Sequence, residues 1–157
     1  EESKTRPMGR GASGVRGITL TGPEDEVIGM VSVNDMDSNI LVVSENGYGK
    51  RSDLEDYRIT NRGGKGFKTI SITEKTGQLV ALKNVSDEED LRIINKSGIA
   101  IRMSVSDCRV MGRATQGVRL INLKDNDSIA AVAKVMPDDD SIEDVNELDV
   151  NDGTVIE

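Results

Sequence analysis

The sequence predicts an all-β chain built as a propeller-like array of small four-stranded sheets, and three observations carry that prediction. A basic, glycine-rich loop leading into an alternating apolar run occurs three times, its middle copy running from Thr60 to Ile72. Arg10, Arg62 and Arg113 are spaced 52 and 51 residues apart, and Gly14, Gly66 and Gly117 return the same two intervals. Between the loops a hairpin recurs, because Gly47 to Gly98 and Arg51 to Arg102 are each 51 residues. A period near fifty residues marks a repeat architecture, in which one sheet is too small to bury its own faces and must stack on its neighbours.

Taken in order, residues 1–7 read as a linker. Val15, Ile18 and Leu20 predict a short first strand, and Thr21 to Asp25 a turn. Val27 to Val33 predicts a second strand, apolar enough to be buried on both faces. Ile40 to Ser44 is the third strand, Asn46-Gly47 a hairpin turn tolerant of positive φ, and Tyr48 to Ser52 the fourth strand, followed by a short connector at Asp53 to Tyr57. The second unit repeats this with an apolar run at Ile70 to Ile72, strands at Leu79–Val85, Leu91–Asn95 and Ile99–Met103, and a turn at Asp87–Asp90. The third unit continues through Ile129–Val135 and then meets an acidic tail. The expected organisation is a partial array over 1–136, with repeats near 6–57, 58–108 and 109–136, and a tail over 137–157 expected to be disordered. Two units and part of a third do not close a ring, so the expectation is either that the chain is a piece of a longer array or that copies of it associate through their open sheet edges.

The net charge of −8 is a property of that tail, which holds nine of the 28 acids and no base. Residues 1–136 therefore carry 19 acids against 20 bases, a balance that lets bases gather on one face. With no histidine and the single Cys108, a zinc site, a histidine-based triad and an internal disulfide are all disfavoured, and a reducing cytoplasm is the expected compartment. No run approaches the roughly 18 apolar residues of a membrane span. Asp138 to Asp140 lacks a rigid scaffold for a metal, and Tyr57 has no accompanying base to make it a nucleophile.

Each loop sets an arginine four residues ahead of a glycine, among small residues. Small residues let backbone amides approach phosphate oxygens while the arginine pairs with the anion. The candidate phosphate-binding residues are Arg10, Arg16, Lys50, Arg51, Arg62, Gly63, Gly64, Lys65, Gly66, Lys68, Arg102, Arg113 and Arg119. The plain alternative is that recurrent Gly and Arg are turn residues with salt-bridging neighbours. Gly63 to Gly66 also lacks the Ser/Thr that ends a Walker loop. Only Tyr48, Tyr57 and Phe67 are aromatic, too few to stack unpaired bases, so duplex backbone is the favoured ligand over single strands.

Arg6 to Arg10, Gly14 to Ile18, Asn46 to Arg51 and Gln116 to Val118 together resemble, in order, the C-terminal domain of bacterial DNA gyrase A subunits. The resemblance covers residues 6 to about 136. It implies a β-pinwheel, a six-bladed relative of the propeller of which about three repeats lie here, whose basic rim wraps duplex DNA in support of ATP-dependent negative supercoiling. It further implies that this chain holds no catalytic residue, metal or cofactor, that ATP and Mg2+ are bound elsewhere in the parent enzyme, and that the gyrase B subunit is a partner through the holoenzyme. No membrane is implied. The family's signature box differs from Thr60 to Gly66, where Thr60-Asn61 replaces glutamine and a base, so this loop is a box-like copy. The C-terminal domain of topoisomerase IV, which has a similar fold, and a propeller-like scaffold for proteins are the alternative readings.

Overall fold

The structure is a computed structural model that describes residues 2–124 and 126–136. Among the described residues seven strands form: β1 (Asn39–Ser44), β2 (Tyr48–Asp53), β3 (Leu79–Val85), β4 (Asp90–Asn95), β5 (Ala100–Ser104), β6 (Val118–Arg119) and β7 (Ile129–Val135). They make two antiparallel sheets, one ordered β3-β1-β2-β6 and the other β5-β4-β7. The expected third and fourth strands of the first unit and all three strands of the second lie within a residue of these bounds. The tail, 137–157, falls outside the described residues.

Both hairpins close where Asn46-Gly47 and Ser97-Gly98 place a glycine at positive φ, 79° and 87°. One 3-10 turn follows each hairpin, Leu54–Asp56 and Val105–Asp107, closed by the equivalent bonds Tyr57 N–H to Leu54 O and Cys108 N–H to Val105 O, both 2.9 Å. The fifty-residue period is thus a period of backbone conformation as well as of sequence.

β1 is buried on both faces and apolar from Ile40 to Val43. Its alternate side chains divide between two apolar clusters, as the two-residue period of a strand requires. Leu41 and Val43 join Ala81, Val85, Leu91, Ile93, Val105, Cys108, Ile129 and Val132 in the core between the sheets. Ile40 and Val42 meet Ile70 on the opposite side, with Leu54, Tyr57, Leu79 and Leu82 around them.

The sheets do not respect units counted from loop to loop. β3 of the second unit pairs with β1 of the first, and β7 of the third pairs with β4 of the second. β6, from the third loop, pairs with β2 of the first unit. This exchange explains a correction: Val27 to Val33, predicted as a buried strand, forms none, and Val27 and Met30 are 64% and 92% exposed. By the pairing of β3 and β7, its partner would be the third strand of a unit ahead of the first loop. The runs at 15–20 and 70–72 also form no strand, although Ile70 is buried.

The close approaches in this fold set its response to substitution. Gly117 has φ of 75°, and a Cβ there would stand 2.6 Å from the Gly49 carbonyl oxygen, whereas Gly14 has φ of 78° with open space around it. Gly117→Ala is expected to destabilise the fold by more than the ~1–2 kcal/mol of left-handed strain alone, and Gly14→Ala by no more than that, in urea unfolding. Burial raises the Cys108 thiol from 9.0 to about 11. The folded state then keeps a proton that the unfolded chain releases, so stability falls as pH rises from 9 to 11, by about 2–3 kcal/mol. Cys108→Ala is expected to remove that component from the pH dependence of unfolding.

Candidate nucleic-acid interface

The polar strand β2 holds the third loop in place. Tyr48 to Ser52 are all buried, an unusual state for Lys50 and Arg51, and the side chains of Lys50, Arg51 and Ser52 each bond to the segment that leads into Arg113. Lys50 Nζ donates to Gly112 O at 2.7 Å and Ser52 Oγ at 3.1 Å, Ser52 Oγ donates to Met111 O at 2.9 Å, and Arg51 Nε donates to Cys108 O at 2.7 Å. Backbone bonds from Arg51 N–H to Arg109 O and from Met111 N–H to Arg51 O complete the seam. Burial pushes the Lys50 pKa down, an effect opposed by the Asp56 carboxylate and reinforced by Arg113.

Lys50 and Arg51 are therefore corrected from phosphate contacts to internal anchors, because neither amine nor guanidinium is available to a ligand. Arg51 also donates to Asn39 Oδ1 and pairs with Asp87. Arg102 repeats that arrangement: its Nε donates to Asp90 at 2.7 Å, and Asp90 stands 51 residues after Asn39 as Arg102 does after Arg51. Lys134 pairs with Glu89 at 2.6 Å. The acidic turn after β3 thus occupies three bases drawn from β2, β5 and β7.

The loop bases stand apart from that turn. Among the described residues no carboxylate comes within 4 Å of Arg10, Arg16, Arg62, Lys65, Lys68, Arg113 or Arg119. Arg10, Arg16, Arg62, Lys65, Lys68 and Arg119 are exposed, and Arg113 is half-buried. The loops dock in series: Thr19 N–H donates to Gly64 O at 2.9 Å, and one repeat later Ser71 N–H donates to Thr115 O at 2.9 Å. Gly63 N–H donates to Gly17 O at 2.8 Å, so this amide is engaged within the protein and is withdrawn from the anion-binding set. Gly64 and Gly66 remain exposed. A cleft of about 490 Å³ between the first two loops is walled by Arg16 and Arg62, and Arg62 Nη2 donates to Lys4 O at 2.9 Å.

Phe67 is a shared support for two guanidinium groups, with Arg113 at 4.7 Å and Arg58 at 5.2 Å from its ring centroid. The buried Nε of Arg113 has no partner among the described residues. Arg58 was absent from the sequence-derived candidates, as were Arg6 and Arg109. A signal for them existed, since Arg6, Arg58 and Arg109 are also spaced 52 and 51 residues apart. Arg16, Lys68 and Arg119 form a third series with the same intervals.

A model of the "DNA gyrase C-terminal domain, beta-propeller" family matches residues 6–34, 38–86 and 89–136. The chain belongs to this family. The second matched segment contains β1, β2 and β3, and the third contains β4 to β7. The DNA gyrase A subunit of Staphylococcus aureus strain MRSA252 is 50% identical over 156 residues, which is 98% of this chain and 17% of that protein. Its counterpart in strain NCTC 8325 is 49% identical over 158 residues, 99% of this chain and 17% of the relative. The chain thus spans about one sixth of the length of these relatives. A solved structure of a DNA gyrase A C-terminal domain superposes with a TM-score of 0.76 at 29% identity, over 84% of this chain and 44% of the other. The C-terminal domain of DNA topoisomerase IV has the same fold, with a TM-score of 0.72 at 18% identity over 78% of this chain and 38% of the other.

Within this gyrase-family domain, internal and exposed arginines should separate by their effect on stability. Arg51→Ala leaves the Cys108 carbonyl and Asn39 without their donor and is expected to cost about 2–4 kcal/mol in urea unfolding. Arg62→Ala, on an exposed loop, is expected to change it by less than about 0.5 kcal/mol.

Proposed function

We propose that this chain is the duplex-DNA-binding and DNA-wrapping part of a DNA gyrase A subunit. The observation that carries the reading is the division of its bases. Bases on β2 and β5 are engaged by the protein's own groups, while three consecutive loops present bases free of carboxylate neighbours among the described residues. Loops that dock in series place those bases at successive steps of one structure, as a ligand with a repeating charge requires. A duplex backbone is such a ligand, and displaced counterions supply much of its binding free energy. The phosphate contacts in this reading are Arg10, Arg16, Arg62, Lys65, Lys68, Arg113 and Arg119, with Gly64 and Gly66 allowing close approach.

Smooth bending of a 20–30 base-pair site by 40–90° costs on the order of 1–6 kcal/mol, so wrapping needs contacts distributed over several loops. Backbone contacts confer little base preference. In this reading the chain supports negative supercoiling by a holoenzyme in the bacterial cytoplasm, partnered there by the B subunit. ATP, Mg2+ and strand cleavage belong to other parts of that holoenzyme, and the chain itself does no chemistry. The 50% identity to a gyrase relative favours this reading over topoisomerase IV, for which the likeness is one of fold.

Duplex binding by the 157-residue chain is expected to weaken with salt. Arg62→Ala with Lys65→Ala is expected to weaken it at low salt and to reduce the slope of log K against log salt by about 2, given roughly 0.9 per phosphate contact. An unchanged slope in a fluorescence-anisotropy titration would remove both residues from the contact set.

A further inference from the structure

Three repeats meet at Tyr48. The ring belongs to the first hairpin and is 6% exposed. Lys75, from the turn ahead of β3, places its Nζ 5.3 Å from the ring centroid, and Arg119 of β6 places its guanidinium carbon 5.3 Å away. Arg119 Nη2 also donates to the phenol oxygen at 2.9 Å and its Nη1 to Asn122 Oδ1 at 3.3 Å. Tyr48, Lys75 and Arg119, with Asn46 and Lys124, line a polar cleft of about 240 Å³.

Asp127 also lines the cleft, but its carboxylate faces other work. It accepts from the Asn95 amide, from Ser97 Oγ at 2.8 Å and from Ser128 N–H at 2.9 Å. Its pKa is held below the usual carboxylate range, by the Ser97 hydroxyl foremost and then by backbone N–H donors, so it stays an occupied acceptor. Among the described residues lining the cleft, three cations stand around one engaged carboxylate, and that lining is positive. The phenol registers this, its pKa lowered first by the Arg119 hydrogen bond and then by the charges of Arg119 and Lys75. The volume lies below the roughly 300–1,000 Å³ of pockets that enclose a whole small molecule, which suits a phosphate group carried by something larger.

We propose that the cleft walled by Tyr48, Lys75, Arg119 and Lys124 is a phosphate-group site, which on duplex DNA takes a backbone phosphodiester. The second half rests on the proposed function, and the first half stands without it. The site adds Lys75 and Lys124 to the bases of the loops and exists only where three repeats are assembled, because no single repeat supplies its walls.

The chain has two tyrosines and no tryptophan, so ring-labelled tyrosine gives two sets of NMR signals, and Tyr57→Phe assigns the set from Tyr48. Inorganic phosphate is expected to shift the Tyr48 signals, and Lys75→Gln with Lys124→Gln to abolish that shift while leaving the other signals in place. With duplex DNA as the probe, the Tyr48 signals are expected to move and the double variant to lower the salt slope by about 0.9, the value of one phosphate contact. Tyr48 signals that respond to neither probe would overturn the proposal. A response to phosphate with a wild-type duplex slope in the double variant would overturn the phosphodiester assignment. A response to phosphate in a chain that fails to bind duplex at any salt would keep the phosphate site and reject the proposed function instead.

Discussion

The seam between β2 and residues 108–112 is the constraint on which the rest of the molecule depends. A strand reading Tyr-Gly-Lys-Arg-Ser is polar by composition, yet it is buried. Burying Lys50 and Arg51 carries a large desolvation cost, which is offset only where every donor finds an acceptor. The acceptors are the carbonyl of Cys108, a fully buried residue whose backbone needs a partner away from water, and that of Gly112. One set of bonds therefore resolves two problems and, in doing so, fixes the path by which the third loop reaches Arg113. Gly117 completes the approach and admits no side chain, since a Cβ there would stand 2.6 Å from the Gly49 oxygen.

That seam also divides the molecule's positive charge by role. The acidic turn at Asp87, Glu89 and Asp90 draws in Arg51 from one sheet and Arg102 and Lys134 from the other. What remains on the loops is charge without carboxylate partners among the described residues, an arrangement that contributes little to folding and is available for anions. A chain of net charge −8 can in this way present an anion-binding surface, because nine of its acids lie in the last 21 residues.

Much of the fold was legible in the sequence, where local signals and long-range register agree. β3 and β7 match their expected bounds, and β1, β2, β4 and β5 fall within a residue of theirs, because short apolar runs flanked by Asn-Gly and Ser-Gly turns leave few alternatives. Val27 to Val33 has the same apolar run as β3 and remains unpaired, since a strand is decided by the neighbour it bonds to, which a single sequence does not display. Lys50, Arg51 and Arg102 were legible as recurrent bases, but not as bases engaged by the protein's own groups, the first two buried and Arg102 paired at the surface. Their engagement depends on Gly112, Cys108 and Asp90, residues brought to them by sheet pairing rather than by spacing. Arg6, Arg58 and Arg109 show the opposite case, with a period plainly present and no local motif to draw attention to it.

A track for duplex DNA requires equivalent contributions from three loops, and charge removal at one register position in each loop tests that most directly. Arg10→Gln, Arg62→Gln and Arg113→Gln, made singly and together, should each lower the salt slope for duplex binding by about 0.9, with the triple variant losing about the sum of the three. A slope lost wholly through one arginine, or left at the wild-type value in the triple variant, would contradict a continuous track across the repeats.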